Sequence, residues 1–105
     1  MTGRSVVALL LLSVASPAAA EDHVVSQKGK QFQPEAVQVR VGDRVLFQND
    51  DETTHNVFSR TQGAAFNVGL QEPGSSSPVT FEKAGPVEVR CAIHPGMRMI
   101  VEVAE

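Results

Sequence analysis

Apolar and polar residues alternate along two short runs of the chain, and helical periodicity is absent beyond residues 1–20. The apolar members are Val37, Val39 and Val41 in AVQVRV, and Val87, Val89 and Cys91 in VEVRC. An alternation of period two is typical of β-strands that bury one face. We therefore expect a β-protein in which the side chain of Cys91 points toward the core.

Glycine, proline and Asn-Asp pairs separate the chain into short segments that can form strands. The predicted strands are 23–27, 30–32, 36–41, 44–49, 54–59, 67–70, 77–82, 86–91 and 98–103. Short strands divided by such turns favour an all-β sandwich. The expected core contains Phe47, Phe58, Phe66 and Phe81, with Phe32 covering one end.

Residues 1–20 have the layout of a secretory signal peptide. One cation, Arg4, precedes an apolar run from Val6 to Val14, and the segment ends in the small-residue sequence AAA, which fits an A-x-A cleavage site. A retained membrane anchor is disfavoured, because the apolar run is too short to span a bilayer as a stable helix. We expect residues 21–105 to form one small domain that is soluble and periplasmic after cleavage.

The charge distribution gives no indication of a nucleic-acid partner. The net charge is −3 at pH 7, and the basic residues are scattered along the chain. Proteins that bind nucleic acid concentrate Lys and Arg on one face or stripe. An acidic balance of this size is more simply explained by solubility.

Cys91 is the only cysteine, so it cannot form a disulfide within the chain. In an oxidising compartment, a lone cysteine indicates an intermolecular disulfide, a reactive thiol or a metal ligand. His94 and Met97 follow it at intervals of three residues, and Pro95-Gly96 can turn this loop so that the three side chains face one point. One cysteine, two histidines and a weak axial methionine are the ligands of a type 1 blue-copper site. His55, in the segment THNVF, is the candidate for the second histidine.

Each of these residues also has an ordinary interpretation when it is taken alone. Cys91 could be a small buried core thiol. His55 could be a polar residue at the end of a strand, and Met97 could fill a gap in the core. These interpretations leave the spacing of the residues unexplained, so the joint metal site is favoured.

Three segments of the chain resemble the cupredoxins of the plastocyanin/azurin family, most closely the amicyanin-like members. The segments are QFQPEAVQVRVGDRVLFQND, HNVF and CAIHPGM, and the resemblance covers nearly all of residues 30–103. It implies a Greek-key β-sandwich of about eight strands with one type 1 copper ion near one end. It also implies that His55, Cys91 and His94 are strong copper ligands, with Met97 as the weak axial ligand.

Two methionines compete for the axial position. A plastocyanin-like gap after His94 selects Met99, whereas the short loop of the amicyanin-like members selects Met97. Met99 also begins the alternation of the last predicted strand, which gives it a place in the core without any metal. Met97 is therefore the predicted ligand, and Met99 is the alternative.

The resemblance assigns supporting roles to two neighbours of the ligands. In the family, the asparagine after the first histidine ties the two ligand loops together, and Asn56 stands there. Its usual partner is a hydroxyl residue directly after the cysteine, but this chain has Ala92. Ile93 replaces a proline and keeps an N–H that could donate to the Cys91 sulfur. Such a hydrogen bond would lower the reduction potential.

The resemblance implies an electron carrier whose partners are redox proteins, such as a c-type cytochrome or an amine dehydrogenase. The expected port is the exposed edge of His94 within an apolar patch that includes Pro95, Gly96 and Leu70. A periplasmic copper carrier, buffer or chaperone is the alternative. The chain has no Cys-x-x-Cys-His haem motif and no additional histidine cluster, so we do not expect an enzyme.

A second metal site depends on where the signal is cleaved. Cleavage after Ala20 would start the mature chain at Glu21-Asp22-His23. A free amine, two backbone amides and a histidine at the third position can form a square-planar nitrogen site for Cu(II) or Ni(II). The favoured alternative is a frayed polar terminus in which His23 binds nothing.

Overall fold

The computed structural model describes Gly3 and residues 19–105. The predicted signal peptide, residues 1–20, lies outside the described residues except for Gly3, Ala19 and Ala20, so its assignment stays a prediction. Ala19 and Ala20 are exposed and lie outside the strands. Within this described part of the chain, no helix is both long and apolar enough to cross a membrane.

The described chain folds into nine β-strands, close to the segments expected from alternation and turns. They are β1 Asp22–Lys28, β2 Gln31–Gln33, β3 Ala36–Arg40, β4 Arg44–Asn49, β5 His55–Ser59, β6 Phe66–Gln71, β7 Ser76–Thr80, β8 Gly85–Arg90 and β9 Arg98–Ala104. The count agrees with a sandwich of about eight strands, since β2 has only three residues.

The strands form two sheets around one core. The four-stranded sheet has the order β2-β1-β4-β7, and the five-stranded sheet has the order β3-β9-β8-β5-β6. The pairs β1–β4 and β3–β9 are parallel, and the other pairs in the two sheets are antiparallel. Buried side chains from both sheets belong to a single hydrophobic cluster. The predicted all-β sandwich is confirmed.

The predicted alternation holds along β3 and β8, with one exception at the end of β3. The buried members are Val39, Val87, Val89 and Cys91. Val41 is 43% exposed, so its predicted place on the buried face is wrong. β3 ends at Arg40 because the chain turns at Gly42, whose φ of 94° suits glycine. The Asp43 N–H then donates to the Arg40 carbonyl at 2.9 Å and closes the turn.

Phe47 lies at the centre of the aromatic part of the core. It is fully buried in β4, with the Phe32 ring edge-on at 6.4 Å and the Phe66 ring stacked at 6.1 Å between centroids. Phe81 is also buried and meets Phe66 at 6.0 Å. Phe32 is only 1% exposed and belongs to the core, and it lies beside His94 and Met97, at the end of the sandwich that holds the candidate ligands.

Phe58 was also predicted to lie in the core, and that prediction is wrong. The register of β5 against β6 shifts between Asn56 and Phe58, as at a β-bulge. A bulge adds a residue to one strand and changes the face that the following side chain takes. Val57 is therefore buried, while Phe58 is only partly buried, with the Arg60 guanidinium 5.5 Å from its ring centroid.

Candidate metal centre

Two distant parts of the chain meet at one end of the five-stranded sheet and bring the candidate ligands together. His55 is the first residue of β5, and Cys91 directly follows β8. Because β5 and β8 are antiparallel neighbours, the start of one lies beside the end of the other. His94 lies in the loop 91–97 that leads into β9.

The three side chains direct their ligand atoms toward one point. Nδ1 of His55 lies 3.2 Å from Nδ1 of His94, and Cys91 Sγ lies 4.0 and 3.7 Å from these two nitrogens, respectively. An ion at the centre of a trigonal plane, with metal–N about 2.0 Å and metal–S about 2.3 Å, would separate the nitrogens by about 3.5 Å and place the sulfur about 3.7 Å from each. The triangle therefore fits a first-row transition-metal ion.

The centre is closed by the protein except at His94. His55 is fully buried and Cys91 is 2% exposed, whereas His94 is partly exposed. Burial of His94, together with the neighbouring His55, lowers the pKa of His94. A lowered pKa keeps this imidazole neutral at pH 7, and neutral imidazole is the form that binds a metal. Thiolate and imidazole ligands in a trigonal set select copper.

Asp51 contacts one of the candidate ligands, and the sequence had not pointed to it. Its Oδ2 lies 2.9 Å from Nε2 of His55, the ring nitrogen that faces away from the other two ligands. The backbone N–H of Lys30 and then the His55 ring lower the pKa of Asp51 to about 2. A carboxylate four residues before the histidine was visible in the sequence, but in a loop that spacing does not indicate contact.

Asn56 ties the two ligand loops together by a route that the sequence did not suggest. Its Oδ1 accepts from the backbone N–H of Ala92 at 3.2 Å, so no hydroxyl group is needed after the cysteine. Its Nδ2 donates to Oδ1 of Asn67 and to the Gly69 carbonyl in β6, both at 2.9 Å. The amide side chain of Asn56 therefore joins the cysteine loop to β6.

The sulfur of Cys91 accepts a hydrogen bond from the backbone N–H of Asn56 at 3.3 Å. Within residues 19–105, the contacts of this sulfur do not include the N–H of Ile93. Ile93 is 48% exposed beside His94. An effect of Ile93 on the reduction potential stays a prediction.

Met97 and Met99 occupy different structural positions, although each is only 2% exposed. Met99 lies in β9 opposite Val89 of β8, as expected of a core residue. Met97 precedes β9, and its N–H donates to the His94 carbonyl at 2.9 Å. This turn places the backbone of Met97 next to that of His94, and the choice of Met97 as the axial ligand stays a prediction.

Apolar residues are exposed around the open side of the centre. Leu70 is 74% exposed in β6, where it pairs with Asn56. Pro95 and Gly96 are exposed next to His94. The predicted port residues are therefore accessible at the end of the sandwich that holds the candidate ligands.

His23 lies apart from this centre and already has a partner. Its Nε2 is 2.9 Å from Oδ2 of the buried Asp43, whose Oδ1 accepts from the Glu21 N–H at 2.9 Å. Asp22 pairs with Arg44 through two contacts of 2.8 Å. A square-planar metal site at residues 21–23 would need the Glu21 nitrogen, which donates to Asp43 here, as a metal ligand, and that site stays a prediction.

Comparison with known proteins agrees with this fold and centre. Residues 19–104 match the family of copper binding proteins described as the plastocyanin/azurin family. The methylamine utilization protein MauL of Methylorubrum extorquens is 34% identical over 98 residues, which cover 92% of this chain and 86% of MauL.

Two solved structures share the fold. A reduced amicyanin variant is 28% identical with a TM-score of 0.72, and the match covers 78% of this chain and 81% of that chain. A purple cupredoxin from Nitrosopumilus maritimus is 23% identical with a TM-score of 0.71, and the match covers 79% of this chain and 100% of that chain.

The β-sandwich, its His-Cys-His triangle and the family match together define the class of the protein as a cupredoxin, an electron carrier whose cofactor is copper. The chain belongs to the plastocyanin/azurin family of copper-binding proteins.

Proposed function

We propose that this protein carries single electrons between redox proteins in the periplasm, through one type 1 copper ion held by His55, Cys91, His94 and Met97. The observation that carries the proposal is the triangle of two imidazole nitrogens and one sulfur, with sides of 3.2, 3.7 and 4.0 Å. The predicted secretory signal supports the location.

The ligands are held in place by the β-scaffold before any metal binds. Asp51 contacts the ring of His55, and Asn56 holds the cysteine loop through Ala92. Bound copper supplies a one-electron couple that no side chain of this chain provides. Because the ligands need to move little when the charge of the centre changes, the scaffold favours rapid electron transfer over catalysis at an open coordination position.

The exposed edge of His94 is the route by which we expect electrons to leave. Leu70 and Ile93, with 74% and 48% of their surfaces exposed, form an apolar rim that a partner can cover. A c-type cytochrome and an amine dehydrogenase are the proposed partners. The similarity to a protein named for methylamine utilization supports the second of these.

Rapid mixing tests this function against that of a copper carrier. The Cu(I) protein is mixed with an oxidised c-type cytochrome and, separately, with a strong Cu(I) chelator. We expect cytochrome reduction to be fast and the copper to stay with the protein. Rapid loss of copper to the chelator without cytochrome reduction would favour a copper carrier, buffer or chaperone and contradict the proposal.

Replacing Leu70 with asparagine should slow the second-order rate of cytochrome reduction about tenfold. Burial of a leucine side chain at an interface contributes about 1.5–3 kcal/mol, and the neutral asparagine removes this contribution without adding charge. Val24→Asn is the matched control, because Val24 is also exposed (53%) but lies in β1. Equal rates for the two variants would show that Leu70 is not part of the port.

Replacing Met97 with leucine should raise the reduction potential by more than about 59 mV, a tenfold change in a one-electron equilibrium. A thioether donates electron density to Cu(II), so its loss destabilises the oxidised state. Met99→Leu is the matched control and should leave the copper spectrum and the potential unchanged. The reverse result, with only the Met99 variant altered, would make Met99 the axial ligand.

A further inference from the structure

We propose that Asp51 is a positioning residue of the copper centre, which fixes the ring of His55 for metal binding and lowers the reduction potential through its negative charge. This inference rests on the proposed role of His55 as a ligand. Asp51 itself is not a ligand, because its carboxylate contacts the nitrogen of His55 that faces away from Cys91 and His94.

The contact determines which ring nitrogen of His55 carries the proton. A neutral imidazole has one N–H and one unprotonated nitrogen. Nε2 lies 2.9 Å from Oδ2 of Asp51, and an ionised carboxylate can only accept a hydrogen bond. The proton is therefore held on Nε2, and Nδ1 presents its lone pair to the centre. Contacts of this kind fix the orientation of metal-binding histidines and raise their basicity.

The carboxylate of Asp51 is itself held from two directions. The backbone N–H of Lys30, in the turn between β1 and β2, donates to Oδ2 at 2.9 Å, and the N–H of Glu52 donates to Oδ1 at 3.2 Å. The backbone N–H of Asp51 donates to Oδ1 of the buried Asn49 at 3.0 Å. Asp51 therefore connects the β1–β2 turn to a copper ligand.

The Lys30 donor is oriented by an unusual backbone conformation. Gly29 and Lys30 have φ values of 62° and 55°, which form a tight turn between β1 and β2. Positive φ is uncommon for a residue other than glycine. Here it accompanies the hydrogen bond that turns the Lys30 N–H toward Asp51.

A fixed negative charge next to a copper ligand favours the more positive oxidation state. The Asp51 side chain is only 16% exposed, so solvent screens its charge less than it screens a charge on the open surface. The charge acts through the imidazole of His55 and stabilises Cu(II) more than Cu(I). Removing it should raise the reduction potential.

Asp50 provides a matched control for this effect. It is adjacent in sequence and exposed, and its carboxylate accepts from the hydroxyl of Ser26 at 2.6 Å. Asp50→Asn and Asp51→Asn remove the same formal charge, but only the second changes the group that contacts His55. Asparagine can still accept from Nε2 through its amide oxygen, so Asp51→Asn keeps the hydrogen bond and tests the charge.

The test is a redox titration of the copper-loaded wild type and of the two variants. We expect Asp51→Asn to shift the Cu(II)/Cu(I) ratio at a fixed applied potential about tenfold toward Cu(I), and Asp50→Asn to shift it less than twofold. An unchanged ratio in Asp51→Asn, with an intact blue absorption band, would overturn this inference and leave the proposed function standing. Failure of the wild type to form the band would overturn both.

A second measurement uses the metal-free wild type and does not depend on how any variant folds. Nitrogen-15 NMR of the histidine rings should show the proton of His55 on Nε2. A proton on Nδ1 would contradict the contact with Asp51 and overturn the inference, whether or not the protein binds copper.

Discussion

Replacing Cys91 with serine should abolish the intense orange-red absorption of the copper-loaded protein and weaken copper binding more than about a hundredfold. The band arises from charge transfer between a thiolate and Cu(II), and a serine hydroxyl is not ionised at neutral pH. Loss of an outer contact of a metal ligand already costs about 10–100-fold in affinity, so loss of the ligand itself should cost more. Serine is similar in size to the buried Cys91, so the fold should be retained.

Copper titration followed by absorption and by competition with a chelator measures both effects. Ala92→Ser is the control, since it introduces the same hydroxyl one residue along the loop, at an exposed position. The Ala92→Ser protein should keep the orange-red absorption band. A Cys91→Ser protein that still turned blue with one equivalent of copper would show that the sulfur of Cys91 is not the ligand.

Replacing Phe47 with alanine should lower the free energy of unfolding of the metal-free protein by about 3–5 kcal/mol. Phe47 is fully buried and contacts aromatic rings from β2 and β6, so its deletion leaves a cavity between the two sheets. Domains of ordinary size are stable by only about 5–15 kcal/mol, so the variant should be close to unfolding without copper. Urea denaturation of the metal-free protein measures the change.

Phe58→Ala is the control, because it removes the same side chain from a partly buried position. It should lower the free energy of unfolding by less than half as much as Phe47→Ala. Copper should partly rescue Phe47→Ala, since a ligand at a hundred times its dissociation constant adds about 2.7 kcal/mol to the folded state. An equal decrease in the free energy of unfolding in the two variants would contradict the β5 bulge, because the bulge is what places Phe58 outside the core. Absence of rescue would indicate that the metal does not bind the folded form.

The sequence predicted the strands because alternation and turn residues act locally. Cys91 points inward as expected, and the predicted bounds lie within two residues of those in the structure. The wrong predictions of burial occurred where the alternation of apolar and polar residues does not determine which face a side chain takes. Phe58 lies outside the core because a bulge in β5 shifts the alternation, and a bulge leaves no reliable mark in the sequence.

In the candidate site, the sequence likewise predicted what depends on residues close in the chain and missed contacts that depend on the tertiary fold. Cys91 and His94 are close in sequence, so their spacing pointed to a metal loop. The contact between Asp51 and His55 needs the β1–β2 turn, which places the Lys30 N–H against the carboxylate. The link from Asn56 uses the backbone of Ala92, and a backbone donor does not depend on which residue stands there.

Titration of the metal-free wild type with Cu(II), followed by visible absorption, tests the central claim most directly. The chain contains no tryptophan or tyrosine, so the near-ultraviolet background is weak. An intense orange-red band that grows linearly and saturates at one equivalent of copper is the predicted result. A protein that binds copper and stays colourless would contradict the type 1 centre.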